Sequence, residues 1–554
     1  MTQTTARAAF RGATDGYDIG RDRLLGRHAA GYGLLRAAIA AAQGEPIVGY
    51  GPDMKAAKAF VDLVHAIDPT VQVQWAPSDN PAGLAEAGVL YLADAVLGPP
   101  ARQRLRAGPA AYSLCGVTHT TASTSAMDEI AGMFTAPLAA WDALICTSSA
   151  VVETVRVVQE AEADYLRWRL GPDVRLSAPQ LPVIPLGVHV ADFTFAEAQQ
   201  AQARAELGLE ADEVAALHVA RYAPYGKAHP LVMLQGLEAA AQRSGRRLAL
   251  ILCGWPAVPG ADELYAAAAA RFAPSVRTLF TDGRQAEART RSWAAADLFV
   301  SLVDGVQETF GLTPIEAKAA GLPVICTDWN GYRDTVRDGV DGFRIPTWAP
   351  GPGLGEAIAR AFEAETMSYD VYAWAPASTT VVELPALVDR LVDLVTQPEL
   401  RRTMGAAGRA DAIARFEWAK IYADYRALWG ELTARRRAAM ADPDELIRLQ
   451  AAPQASARRL DPFVAFGHYP TRHLTATTTI QPASGVDRAA VAELAAHRLF
   501  LRAVAPPEAQ LGVWDSLAGG EATLAEVAER MGLPLSAAGR AVGVLAKMGV
   551  VKLS

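Results

Sequence analysis

Cysteine is scarce in this chain, and the patterns that would give it a specialised role are missing. Four occur among 554 residues: Cys115, Cys146, Cys253 and Cys326. No two of them form a C-x-x-C pair, and each lies in or beside an apolar run. That points to buried free thiols rather than disulfides or metal ligands. Positive charge is not in excess either. Lys and Arg number 52 against 60 Asp and Glu, a net charge of −8, which gives no overall attraction to nucleic-acid backbones or anionic lipid. No apolar run approaches the ~18 residues of a membrane span, and the first residues carry no apolar signal-peptide core. The expectation from these absences is a cytoplasmic protein, with peripheral membrane contact left open. What is plentiful is apolar side chains, 51% of the total. At roughly 150 residues per domain the length suggests three or four domains.

The chain up to about residue 195 alternates short apolar runs with Ala-rich helical patterns, the signature of an α/β layer around a mostly parallel sheet. Strands are expected over 45–50, 89–93, 111–117 and 141–148. Gly31 and Gly33 belong to a glycine cluster, 26–33, that opens a helical run over 34–42. The cluster could let backbone approach a phosphate or a sugar, or could be a tight turn with no ligand; no Gly-Lys-Ser/Thr follows, so it is not a P-loop. His119 stands just past the strand at 111–117, where open α/β sheets place ligands. A lone histidine there can equally be a loop hydrogen-bonder.

The pattern restarts at Val214–Val219. Arg221 and Lys227 bracket the Pro-Gly turn that follows. Two cations on a turn suit a diphosphate, one as a planar fork and one as a mobile point charge. They also suit an ordinary solvated surface pair. After a strand at 298–303 comes the stretch Glu308 to Val324, reading ETFGLTPIEAKAAGLPV. Thr313 suits a helix N-cap, Pro314 the first helical position and Glu316 the third. A helix N-terminus facing a loop is an anion site. Glu316 has a structural reading too, since T-x-x-E is a capping box.

Two glutamates with seven residues between them, an interior Phe310-Gly311-Leu312 and a following E-A-x-A-x-G-L-P-V resemble the donor-site signature of retaining GT-B glycosyltransferases of family 4. The resemblance covers roughly residues 15 to 432 and is densest from 214 to 346. It implies an α/β fold of two Rossmann-like domains facing a cleft: 1–195 for the acceptor, 196–400 for a nucleotide-sugar donor, and a crossover helix, 401–432, back to the first. It implies transfer of a hexose from a nucleotide diphosphate sugar to an acceptor hydroxyl, with retention. Glu308, His119, Lys227 and Arg221 would be the catalytic set. Glu316, Phe310, Gly311, Leu312 and Thr313 would contact the donor, with Gly31 and Gly33 on the facing lobe. No cofactor or metal is expected, and no Asp-x-Asp stands in the stretch to hold one. The acceptor would be a carbohydrate, a lipid-linked molecule or a protein.

Past a linker, 433–480, helical patterns at 489–501, 522–531 and 536–548 and a short apolar end resemble a winged helix-turn-helix at 481–554. This module suggests a second reading, a ligand-sensing DNA-binding regulator. Against it, residues 481–554 hold seven Lys/Arg and seven Asp/Glu, where DNA binders show a basic face. Protein docking or oligomerisation fits the module better, and no nucleic-acid partner is expected. A third reading keeps the GT-B fold with epimerase or phosphorylase chemistry. The aromatics Phe416, Trp418, Tyr422, Tyr425 and Trp429 share helical spacing and are expected to pack.

Overall fold

Short apolar runs buried on both faces are the mark of inner strands of a parallel sheet, and this chain has them in both halves, among them Val89–Leu92, Ser113–Val117, Leu248–Gly254 and Leu298–Ser301. A computed structural model describes residues 7–12, 16–18, 26–223, 226–499 and 505–554; Pro224, Tyr225 and Leu501, which fall in segments singled out above, lie outside these. The chain divides into two units, Met1–Ser456 and Ala457–Ser554.

The first unit contains two six-stranded sheets. Strands β1 to β6 are Ala9–Arg11, Ile47–Gly51, Val73–Pro77, Val89–Leu92, Ser113–Val117 and Ala143–Ile145. They pair in parallel in the order β3-β2-β1-β4-β5-β6. Strands β7 to β12 are Val214–Val219, Leu248–Gly254, Val276–Asp282, Leu298–Ser301, Val324–Thr327 and Gly342–Ile345. Their order, β12-β11-β10-β7-β8-β9, is the same one counted from β7. Both sheets are therefore Rossmann-like, and the molecule has the α/β, GT-B arrangement expected from the sequence. Successive residues of each strand feed opposite cores. Phe10, Tyr91 and Cys115 pack on one side of the first sheet, Ala9, Leu90 and Leu114 on the other. All four cysteines are buried and free.

Two ties carry the chain back from the second sheet to the first. The segment expected as one helix over 401–432 is instead broken. A helix Pro398–Asp411 runs into a π turn, Ala412–Phe416, then Glu417 is extended and Trp418–Ala441 forms a second helix. Trp418, Tyr425 and Trp429 pack into the first sheet's core, as their spacing suggested, with Tyr422 against its edge. Gly33 and Gly187 make room for Trp418: a Cβ on Gly33 would lie 2.2 Å from the indole nitrogen. The second tie is electrostatic. Lys318, fully buried, donates to Asp411 at 2.5 Å and to the Thr335 carbonyl at 2.7 Å, and pairs with Asp341 at 3.1 Å. Its ammonium also sits 5.2 Å from the Phe416 ring centroid.

Other sequence expectations need correction. The glycine cluster lies inside a helix, Gly26–Ala40, rather than ahead of one. Residues 348–380, whose Pro, Gly and Ala content reads in the sequence as a long excursion, include helices Glu356–Glu363 and Tyr369–Ala377. None of Glu356–Glu363 is buried, and of Tyr369–Ala377 only Ala373 and Ala377 are.

The second unit has helices Arg488–Ala496, Pro507–Ser516, Leu524–Met531 and Leu535–Lys547. Thr479–Pro482 is the middle strand of an antiparallel sheet, flanked by Ala522–Thr523 and Val551–Leu553. Ile480, Val513, Val527 and Val542 form its core. Phe463 and Tyr469, in the stretch read as a linker, are 76% and 71% exposed. Among the described residues no helix is long and apolar enough to cross a membrane.

Replacing Lys318 by Ala takes from the buried Asp341 and Asp411 the one cation that is itself fully buried, and leaves them only partly exposed arginine partners. Urea denaturation should show a loss of about 3–5 kcal/mol.

Candidate active site

In a parallel sheet whose strand order reverses, the loops after the two central strands diverge and leave a crevice at their carboxyl ends. In the second sheet those strands are β7 and β10, neighbours in the sheet. The loop after β7 carries Arg221 and turns at Ala223, whose carbonyl accepts from the Gly226 and Lys227 N–H groups at 3.1 and 2.9 Å. That turn aims Lys227 at the loop after β10, and its ammonium donates to Glu308 Oε2 at 3.0 Å. Burial opposes ionisation of Glu308. Lys227, together with the Phe310 and Thr309 N–H groups, outweighs it and holds the carboxyl below its usual pKa.

The β10 loop is fixed from behind by the residues after β11. Thr327 Oγ1 donates to the Val303 carbonyl at 2.5 Å, and Trp329 Nε1 to that of Gly305 at 3.1 Å. Asn330, in the left-handed region at φ 46°, donates from its amide to the Glu308 carbonyl. Gly311 has φ 89°, and a Cβ there would lie 2.1 Å from the Tyr332 ring. Only glycine fits. Tyr332 in turn bonds Ser301 Oγ at 2.8 Å.

This moves the helix start. Gly311, not Thr313, is the N-cap, and the helix runs Leu312–Ala319. Pro314 is its third residue, where the missing N–H is still one the helix leaves unpaired. Glu316 is then too far along for a capping box. Instead, burial pushes its carboxyl pKa up to about 7, opposed only in part by Arg289. The site thus contains two glutamates of opposite tuning, Glu308 held ionised and Glu316 held toward its acid form. Phe310 is buried under the loop against Phe416.

The first lobe reaches this loop directly. Ser148 Oγ donates to the Thr309 carbonyl at 2.7 Å, and Thr309 Oγ1 to the His119 carbonyl at 3.2 Å. Asp334 receives the Ser149 N–H at 2.6 Å and its hydroxyl at 2.8 Å. His119 therefore lies beside the Glu308 loop. Burial, then the charges of Arg27 and His28, push its pKa down to about 4, against a hydrogen bond to the Ala93 backbone. Its Nε2 is buried without a partner, so Nδ1 makes the Ala93 bond and Nε2 carries the lone pair.

Gly31 and Gly33 do not join this cluster. The space a Cβ would take at Gly31 is filled by the Gly16 carbonyl, and at Gly33 by Trp418; both glycines serve close packing. Their helix does point its start at the site, since a Cβ on Gly26 would lie 3.9 Å from Leu312 Cδ1. Asp304, overlooked in the sequence, ends the β10 side of the crevice. It is 6% exposed, one carboxylate oxygen has no partner, and burial pushes its pKa up to about 7. A lone acid closing an apolar run was the available signal. Among the described residues no group of three His, Cys, Asp or Glu side chains is placed to hold a metal ion.

The Glu316 shift sets a pH dependence. Its folded form keeps a proton that the unfolded chain releases near pH 4.5, so its contribution to stability falls as pH rises from about 4.5 to about 7. Glu316→Gln removes this loss. The variant should be more stable than the wild type at pH 8, on the order of 1–3 kcal/mol, with the gap closing toward pH 4.5. Thermal denaturation across that range checks it.

Residues 199–367 match the family model described as "Glycosyl transferases group 1". The chain is 33% identical over 169 residues to a D-inositol 3-phosphate glycosyltransferase of Nocardia farcinica, covering 30% of this chain and 36% of that protein. With the enzyme of that name from Segniliparus rotundus it shares 28% over 321 residues, 57% of this chain and 61% of the relative. The chain thus spans less than two thirds of either. Among solved structures it is similar to Anabaena Alr3699/HepE in complex with UDP-glucose, with 17% identity, TM-score 0.48, and coverage of 76% of this chain and 97% of that one. The family match takes in Lys227, Glu308 and Glu316, the residues of the β7–β10 crevice.

Proposed function

We propose that this chain is a retaining glycosyltransferase that moves a hexose from a nucleotide diphosphate sugar to an acceptor hydroxyl, in polysaccharide or glycoconjugate synthesis. The observation that carries the reading is the Lys227–Glu308 pair, 3.0 Å apart across the switch point of the second sheet. A cation and an ionised carboxylate at that place match the two halves of such a donor, an anionic diphosphate and a hydroxyl-rich sugar.

Lys227 has three donors, and one of them serves Glu308. The others, with Arg221, would neutralise the diphosphate. Unpaired N–H groups at the start of Leu312–Ala319 would add to that, since a helix N-terminus favours negative charge. Glu308, ionised, would accept hydrogen bonds from sugar hydroxyls and position the anomeric carbon. Glu316, near half-protonated at neutral pH, can both donate to and accept from ribose hydroxyls. From the facing lobe, His119 Nε2 offers a neutral acceptor to a sugar hydroxyl. In the transfer, the bond from the anomeric carbon to the β-phosphate oxygen breaks and a bond to the acceptor oxygen forms on the same face. The acceptor proton passes to the departing phosphate. No second carboxylate opposite Glu308 is then required, unlike the paired acids of glycoside hydrolysis. A diphosphate leaves only as fast as its growing charge is met, so the cations are the larger catalytic contribution.

Glu308→Ala or Lys227→Ala should each lower acceptor-dependent release of nucleoside diphosphate by roughly 10²–10³ while circular dichroism stays that of the wild type; wild-type turnover in either variant contradicts the assignment. Release that needs no acceptor would favour epimerase or hydrolase chemistry instead. His119 should add no limb to the pH profile of kcat/KM above about pH 4, because it is already neutral there, whereas a limb near pH 7 should disappear in Glu316→Gln.

A further inference from the structure

A second cavity, about 440 Å³, opens in the same unit. From the first lobe it takes Thr147, Val183 and Pro185. From the second lobe and the returning segment it takes four arginines, Arg333, Arg337, Arg344 and Arg415. None of Arg221, Lys227, Glu308, Glu316 and His119 lines it.

The wall is cationic in a specific way. The single acid among the lining residues is Asp334, and both its oxygens are already taken by Ser149. The carboxylates that balance the arginines stand outside the lining and are shared. Asp328 meets Arg333 at 3.1 Å and Arg344 at 3.5 Å. Asp411 meets Arg415 at 3.3 Å and Arg337 at 3.5 Å, besides the buried Lys318. Asp341 likewise divides between Arg337 and Lys318. A guanidinium has five N–H donors and a shared carboxylate cannot satisfy them all. Arg344 shows the shortfall: its Nε is buried with no partner. The forks are also held in place. Arg415 lies 4.7 Å over the Phe416 ring and donates to the Asp334 carbonyl at 2.9 Å. Arg344 donates to the Arg333 carbonyl at 3.3 Å. Preorganised guanidiniums with donors to spare, facing a pocket of ligand size, are how proteins take phosphate oxyanions.

We propose that this cavity binds a small phosphate-bearing anion. Thr147 adjoins Ser148, which holds the Thr309 carbonyl of the donor loop, and Asp334 is the residue that holds Ser149. An anion here would touch both lobes beside the contacts that join them.

The test is isothermal titration of the full chain at fixed ionic strength with inorganic phosphate, pyrophosphate and glucose 6-phosphate. Because a diphosphate could also enter the donor site, the titration is made in the Lys227→Ala background. At least one of these anions should bind saturably there. Adding Arg333→Ala and Arg344→Ala should weaken that binding about tenfold or more. These two share the exposed Asp328 rather than the buried Lys318 cluster, and if the alanine pair fails to fold, the Arg333→Gln/Arg344→Gln pair is read in its place. The strongest arm identifies the source, inorganic or sugar-borne. No saturable binding in the Lys227→Ala background, or binding unchanged by the arginine substitutions, overturns the proposal.

Discussion

The reversal of strand order beside β7 and β10 is the constraint on which the rest depends. Parallel strands need crossover helices, and where consecutive crossovers go to opposite faces, the two loops between them are free of one another. One loop can then carry cations and the other carboxylates. Lys227 and Glu308 meet from those two loops, and everything else in the site secures their meeting. Gly311 lets the chain turn beneath Tyr332, while Thr327, Trp329 and Asn330 fasten the loop to the next strand. The first sheet repeats the same order, and its own crevice side contributes His119 and Ser148 to the contact with Thr309.

Burial then divides the ionisable groups into two kinds. Where a counter-charge is at hand, as for Glu308 beside Lys227, the carboxyl stays ionised despite desolvation. Where none is close enough, as for Glu316 and Asp304, the acid form persists to about pH 7. His119 shows the same rule with the opposite sign, since burial and neighbouring positive charge favour its neutral form. A site with one fixed anion, one fixed cation and several neutral donors and acceptors suits binding of a polar, hydroxylated diphosphate more than proton abstraction.

Much of this was legible in the residues. Val214–Val219 is a strand over the expected span because a continuous apolar run bounded by polar residues has few alternatives. The helix after Ser148 is capped by that serine, whose side chain accepts from the Val151 N–H, the ordinary role of a serine at such a place. The pairing of Lys227 with Glu308, 81 positions apart, could not be read from spacing; only the resemblance placed them together. The misplaced N-cap at Thr313 has a clear cause. Local chemistry favoured Thr-Pro-x-Glu as a start, but Tyr332, brought in by β11, fixes Gly311 at positive φ and the helix begins earlier. The break at 412–416 has a tertiary cause as well, because Phe416 and Trp418 must reach different cores. Asp304 offered only its place as an acid closing an apolar run, and the arginine cavity had no local signature, since its meaning depends on which side chains surround it.

The central claim is that the β7–β10 crevice holds a nucleotide diphosphate sugar through Lys227. Calorimetric titration of the wild type and of Lys227→Met with UDP-, GDP- and ADP-sugars tests it most directly. The account requires saturable binding of one of these donors by the wild type and affinity about tenfold or more weaker in the variant, as expected for loss of a charge-assisted contact. Equal affinity in the two proteins would contradict it.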